Sequence, residues 1–184
     1  MKKTDFIEIE NLLFPKDYLF SFKDPNGGLW IQKIPDEDSS YRIGVSSLVA
    51  VKLEKLVKCN LIDLYLHKDQ LIDNEIFLFL KGFNYEINLF APFNAKIIRF
   101  NPLIETCSEE TPVVLTQESV YENHWILEVE IEGSLLDSGA WFTAEDKKLA
   151  KMINIIIKGD KKLRDRCCPN LFDSDVVRRL QKNK

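Results

Sequence analysis

Short apolar runs, each halted within a few residues by turn chemistry, recur along most of this chain and point to a β-rich fold. Pro25, Asn26, Gly27 and Gly28 form a strong turn signal, and the run over 29–34 that follows reads as a strand. Polar residues 36–40 make a second turn, and 41–45 returns as a strand, so the two runs form a β-hairpin. Further strands are expected over 61–66, 75–80, 86–91, 95–100 and 125–131, with the polar stretch from His67 to Gln70 between the first two. Near the start, Ile7 and Ile9 alternate with Glu8 and Glu10, the period of two of a short extended segment. Many short strands at close spacing specify a sandwich or a barrel-like sheet.

Helices flank this β body. Ser46 or Ser47 can cap a short one, because a serine oxygen accepts from a free first-turn amide, and Leu48, Val51, Leu53 and Leu56 then cover its buried side. A second is expected from Thr143 as cap, with Glu145 and Asp146 in the first turn and Leu149, Met152, Ile153 and Ile156 at helical spacing up to Gly159. This helix should pack on the β body. Beyond it, Cys167, Cys168, Pro169 and Asn170 make a break, and Asp173 or Ser174 can cap a last short helix. The fold class is therefore mostly β with flanking helices, an α+β arrangement.

A chain of 184 residues, 45% hydrophobic and 29% charged, fits one compact soluble domain. The expected division is an N-terminal extension over 1–13, a core domain over 14–158 and a basic extension over 159–184. No export signal or bilayer-length apolar run is visible, so the expected location is the cytoplasm, away from membranes. A net charge of −4 gives no general attraction to nucleic-acid phosphates. The charge is unevenly placed, since residues 158–184 carry nine Lys/Arg against four Asp/Glu and leave −9 on residues 1–157. Such a tail can dock an anionic partner or lie on its own body, and the interleaved Asp160 and Asp165 favour the second.

Little in the chain suggests catalysis. His67 and His124 lack metal-ligand spacing, Ser138-Gly139 lacks a nucleophile elbow, and Gly27-Gly28 lacks the lysine of a phosphate loop. Glu105, Glu109 and Glu110 read as a solvated loop face. Cys167 and Cys168 lie close to Lys161, Lys162, Arg164 and Arg166, whose charge would favour a reactive thiolate and a redox switch. Adjacent cysteines make a strained disulfide, so burial as small apolar side chains is the favoured reading. Cys59 and Cys107 read as ordinary packing or loop residues.

Several strings taken in order resemble the H protein of the glycine cleavage system, over about residues 14–150. Trp30 is similar to a tryptophan of that family's first hairpin, and residues 43–47 (Ile-Gly-Val-Ser-Ser) resemble its Val-Gly-Ile-Thr-Asp. Residues 61–64 resemble the strand that follows. Residues 88–92 (Asn-Leu-Phe-Ala-Pro) are similar to its Asp-Leu-Tyr-Ala-Pro, and Asn101, Pro112, Trp125, Leu135, Leu136 and Trp141 fall in matching order. His124 stands where the family has glycine. The resemblance implies a lipoyl-domain-like hybrid barrel-sandwich with a C-terminal helix.

It also implies a site, and there the chain departs from the family. The family's motif places the lipoylated lysine eight residues before the proline, and counting back from Pro92 reaches Asn84. Lipoylation acylates a primary amine, and the delocalised carboxamide nitrogen of Asn84 is no nucleophile. Lys81 stands where the motif has glutamate and is the sole lysine nearby, although presenting it would need a three-residue register shift that turns alternate side chains to the wrong face. Gly82 and Asn84 are expected to supply positive φ to a tight turn. The expected function is a non-lipoylated binding or scaffold protein, not an enzyme. No cofactor is expected, and the implied partners are glycine cleavage or lipoate-handling enzymes, with neither nucleic acid nor membrane. The alternatives are an active lipoyl carrier with its arm on Lys81 and a thiol switch through Cys167 and Cys168.

Overall fold

A computed structural model describes residues 4–22, 28–61, 69–131 and 141–167. The chain opens with a hairpin of β1 (Phe6–Ile9) and β2 (Leu12–Pro15), in which Ile7 faces Phe14 and Ile9 faces Leu12. Then come β3 (Leu19–Ser21), β4 (Leu29–Lys33) and β5 (Ser40–Val45), the last two paired as the expected hairpin with Trp30 opposite Gly44. The indole of Trp30 fills the space that a side chain at 44 would take, since a Cβ there would stand 2.4 Å from Trp30 Cζ2.

Helix α1 (Ser47–Leu53) leads into β6 (Lys55–Leu56) and β7 (Lys58–Leu61). The helix stands where the sequence places it, with two differences. Ser46 holds the N-cap backbone position but its buried hydroxyl caps nothing, and the Ser47 amide donates to the hydroxyl of Tyr121 at 2.9 Å. Leu56 lies in β6, and Ala50, buried with Leu48 and Leu53, supplies apolar cover in its place. Of the strand expected over 61–66, Leu61 ends β7 and the rest lies outside the described residues, as do Pro25–Gly27 of the first turn, His67, Leu135, Leu136, Ser138, Gly139 and everything from Cys168 onward.

The remaining strands are β8 (Gln70–Leu71), β9 (Ile76–Lys81), β10 (Glu86–Phe90), β11 (Ala95–Phe100), β12 (Val113–Val114), β13 (Leu127–Glu130) and β14 (Phe142–Thr143). Two single-turn helices, α2 (Pro102–Glu105) and α3 (Ser119–Glu122), bridge them. Asn101 caps α2 with its Oδ1 and donates its amide to the carbonyls of Asn123 and Trp125, so its buried side chain is fully engaged. The chain continues through α4 (Lys147–Gly159) and α5 (Lys161–Cys167). The expected cap at Thr143 falls three residues late: Thr143 pairs with Leu19 in β14, and Asp146 takes the N-cap position with no acid in the first turn.

Among the described residues, four sheets form, all antiparallel. A seven-stranded sheet runs β14-β3-β4-β5-β13-β11-β8, a three-stranded one β10-β9-β7, and β1-β2 and β12-β6 are two-stranded. The core between them is apolar and aromatic, with Leu12, Phe14, Phe20, Trp30, Leu78, Leu80 and Leu89 all but fully buried. Trp30 donates its indole N–H to the Val120 carbonyl at 3.0 Å, and Tyr18, Phe20, Trp30 and Phe6 pack their rings around Tyr121. Leu149, Ile153 and Ile157 of α4 and Leu163 and Cys167 of α5 close the core. No described helix is long and apolar enough to cross a membrane.

Candidate functional site

Strands β9 and β10 pair in a fixed register, Leu78 with Leu89, Leu80 with Ile87 and Lys81 with Glu86, which leaves residues 82–85 as the loop. The Gly82 amide donates to the Tyr85 carbonyl at 2.8 Å and closes it. Asn84 stands exposed at the tip beside Phe83, itself 56% exposed. Positive φ is not part of this turn: neither Gly82 nor Asn84 has it, because a four-residue loop reverses the chain without left-handed residues. Gly82 is required for another reason. A Cβ there would stand 3.0 Å from the carbonyl oxygens of both Leu53 and Lys55, so the bare backbone lets the hairpin press against the end of α1.

The surroundings of the tip are apolar and basic. Lys55 sits with its ammonium 6.0 Å from the Phe83 ring centroid, and Val114, 54% exposed, faces Lys55 across β12-β6. Lys81 lies in the strand, not in the loop. Its backbone carbonyl accepts the Val57 amide at 2.8 Å, and its ammonium lies 3.7 Å from the Glu109 carboxylate with the side chain 36% exposed. Moving Lys81 three positions to the tip would turn Leu78 and Leu80, buried at 0% and 1% exposure, toward solvent. Asn84 and Lys81 thus lie on one hairpin but at different heights, one at the tip and one at the strand end.

The described cysteines fall in two places. Cys167 is buried at the end of α5, its carbonyl accepting the side-chain amide of Asn11, and Cys168 lies outside the described residues. Cys59 of β7 and Cys107 just after α2 are neighbours, the Cys59 amide donating to the Cys107 thiol, and burial pushes both thiols above the usual range. Sequence reasoning had no signal for this contact between distant positions. A further unforeseen cluster spans β5, β13 and β11, where Glu128 accepts from Arg42 Nε at 3.0 Å and Arg99 Nη2 at 2.7 Å, and both guanidinium groups lie 5.4 Å from the Trp125 ring centroid. Hydrogen bonds from Arg99 and then Arg42 hold the Glu128 carboxyl below the usual glutamate range. The group is a clamp in which two guanidinium groups share one carboxylate. His124 contacts the Ser119 hydroxyl at 2.9 Å, and burial lowers its pKa. No cluster of three or more metal-ligating side chains occurs among the described residues.

This architecture is the lipoyl-domain-like fold in its H-protein form, a β-rich hybrid with a C-terminal helix. The similarity is to the glycine cleavage system H protein of Mycobacterium marinum, at 17% identity and a TM-score of 0.54, over 77% of this chain and 98% of that one. No protein-family model and no curated protein matches the sequence.

Proposed function

We propose that this chain is an H-protein-like binding or scaffold protein that works without a lipoyl group and docks on glycine cleavage or lipoate-handling enzymes. One observation carries the reading: the exposed tip of the β9–β10 hairpin, where the H-protein resemblance sets the lipoyl-lysine, holds Asn84. An amide there cannot be acylated under conditions that modify a lysine amine. The tip remains a recognition surface without the arm, because Phe83 and Val114 expose apolar area beside the Lys55 ammonium. An exposed aromatic is a side chain that protein interfaces favour as an anchor, and a charged neighbour suits their polar rim. The lysine of the hairpin itself, Lys81, is held in β9 and faces Glu109, which argues against the carrier reading.

The test is the intact mass of the protein made in cells with active lipoylation enzymes, with peptide mapping of residues 76–92. An unmodified wild type, together with one lipoyl group gained by Asn84→Lys, is the expected result. A lipoyl adduct on wild-type protein that disappears in Lys81→Arg overturns the proposal and makes the chain a working carrier.

A further inference from the structure

Helix α4 contains Lys147, Lys148, Lys151 and Lys158 and no acidic residue. Successive helix residues turn by about 100°, which puts these four lysines and Ile155 on one face, opposite the buried Leu149, Ile153 and Ile157. All four lysines are exposed, as is Lys161 at the start of α5. Among the described residues no carboxylate pairs with the four. Ile155, in the middle of this face, is 70% exposed, the highest value among the exposed large apolar side chains. A purely solvating face would have no use for it. An apolar centre ringed by cations has the anatomy of a docking patch.

We infer that the α4 face of Lys147, Lys148, Lys151, Ile155 and Lys158 docks an acidic amphipathic helix of a partner protein, with an apolar residue of that helix covering Ile155. Charge selects this occupant. The whole chain sums to −4 with all of these lysines counted, so a duplex or an anionic bilayer, charged over its whole extent, also meets the acidic remainder of the molecule and is disfavoured. A protein helix can confine its acids to the footprint of α4, roughly 20 Å long for 13 residues. The patch lies outside the β9–β10 tip, so a lipoyl adduct on the chain would leave this inference standing, and failure of the inference would leave the reading of the tip untouched.

The probe is a fluorescein-labelled synthetic helical peptide with glutamates at every fourth position beside a leucine, titrated with full-length protein and followed by anisotropy. Saturable binding is expected, weakened at least about tenfold by Ile155→Gln and by the triple variant Lys147→Gln/Lys151→Gln/Lys158→Gln. It should also collapse near 1 M salt, where the screening length is about 3 Å. Circular dichroism confirms that each variant is folded, and should the triple variant not fold, Ile155→Gln alone decides. Wild-type binding weaker than about 1 mM, variants that bind like wild type, or tighter binding to phosphatidylserine vesicles or to a short DNA duplex would each overturn the inference.

Discussion

The hydroxyl of Tyr121 accepts the Ser47 amide at 2.9 Å and donates to the Leu13 carbonyl at 2.9 Å, so one buried group ties β2 to the start of α1. Tyr121→Phe keeps the ring among Phe6, Tyr18 and Trp30 but leaves a buried donor and a buried acceptor unpaired. It should cost about 1–3 kcal/mol, read as a lower urea midpoint at unchanged slope. Burial raises the phenol of Tyr18 to about 12 and that of Tyr121 further. In the unfolded chain both ionise near pH 10, so as pH rises the unfolded state sheds protons first. Stability is therefore expected to be intact below about pH 10 and to fall as pH climbs toward 12, a loss that denaturant titrations on either side of pH 10 would detect. Gly82→Ala should destabilise by about 1–3 kcal/mol, because the new methyl meets two backbone carbonyls that cannot swing aside. None of these roles could be read in the sequence. A tyrosine at 121 and a glycine at 82 acquire their partners through contacts with distant residues.

At the level of strands and helices, Glu128 joins β5, β13 and β11 through Arg42 and Arg99. A carboxyl whose folded pKa lies below its unfolded value stabilises above the unfolded pKa, near 4.3, and loses that contribution as pH falls through the folded one. Acid unfolding of Glu128→Gln should therefore begin from a less stable plateau and show a shallower slope below about pH 4.3, followed by circular dichroism. The 29–45 hairpin and the strands from 76 to 100 were legible because apolar runs and turn residues alternate there without conflict. The short β2 and β3 went unread, since neither four residues nor three establish a period. The single turns α2 and α3 are likewise too brief for a helical stripe. At the start of α4, Thr143 and Asp146 are equally good caps locally, and the pairing of β14 with β3 decided between them.

For the molecule as a whole, the order of strings from Trp30 to Trp141 anticipated the H-protein fold although identity to the H protein of similar fold is 17%. Asn84 could be placed by counting back from Pro92, whereas the exposed Phe83, Lys55 and Val114 around it come from three separate elements and become neighbours through folding alone. Among the described residues, the first hairpin and the last two helices belong to the same core, through Leu12 and Phe14 on one side and Leu149, Ile153, Leu163 and Cys167 on the other. Removing residues 1–13 takes away β1 and the fully buried Leu12, and the shortened chain should unfold at lower denaturant in a single transition. Asn11 meets the carbonyl of Cys167, and Glu10 accepts from Asn154 at 2.7 Å. On a ribosome adding about 5–20 residues per second, the first hairpin must therefore wait roughly 8–30 s for the helices that close over it. During that interval β1 and β2 present Phe6, Ile7, Leu12 and Phe14 to water without their final cover, which makes this hairpin a segment that a chaperone would shield.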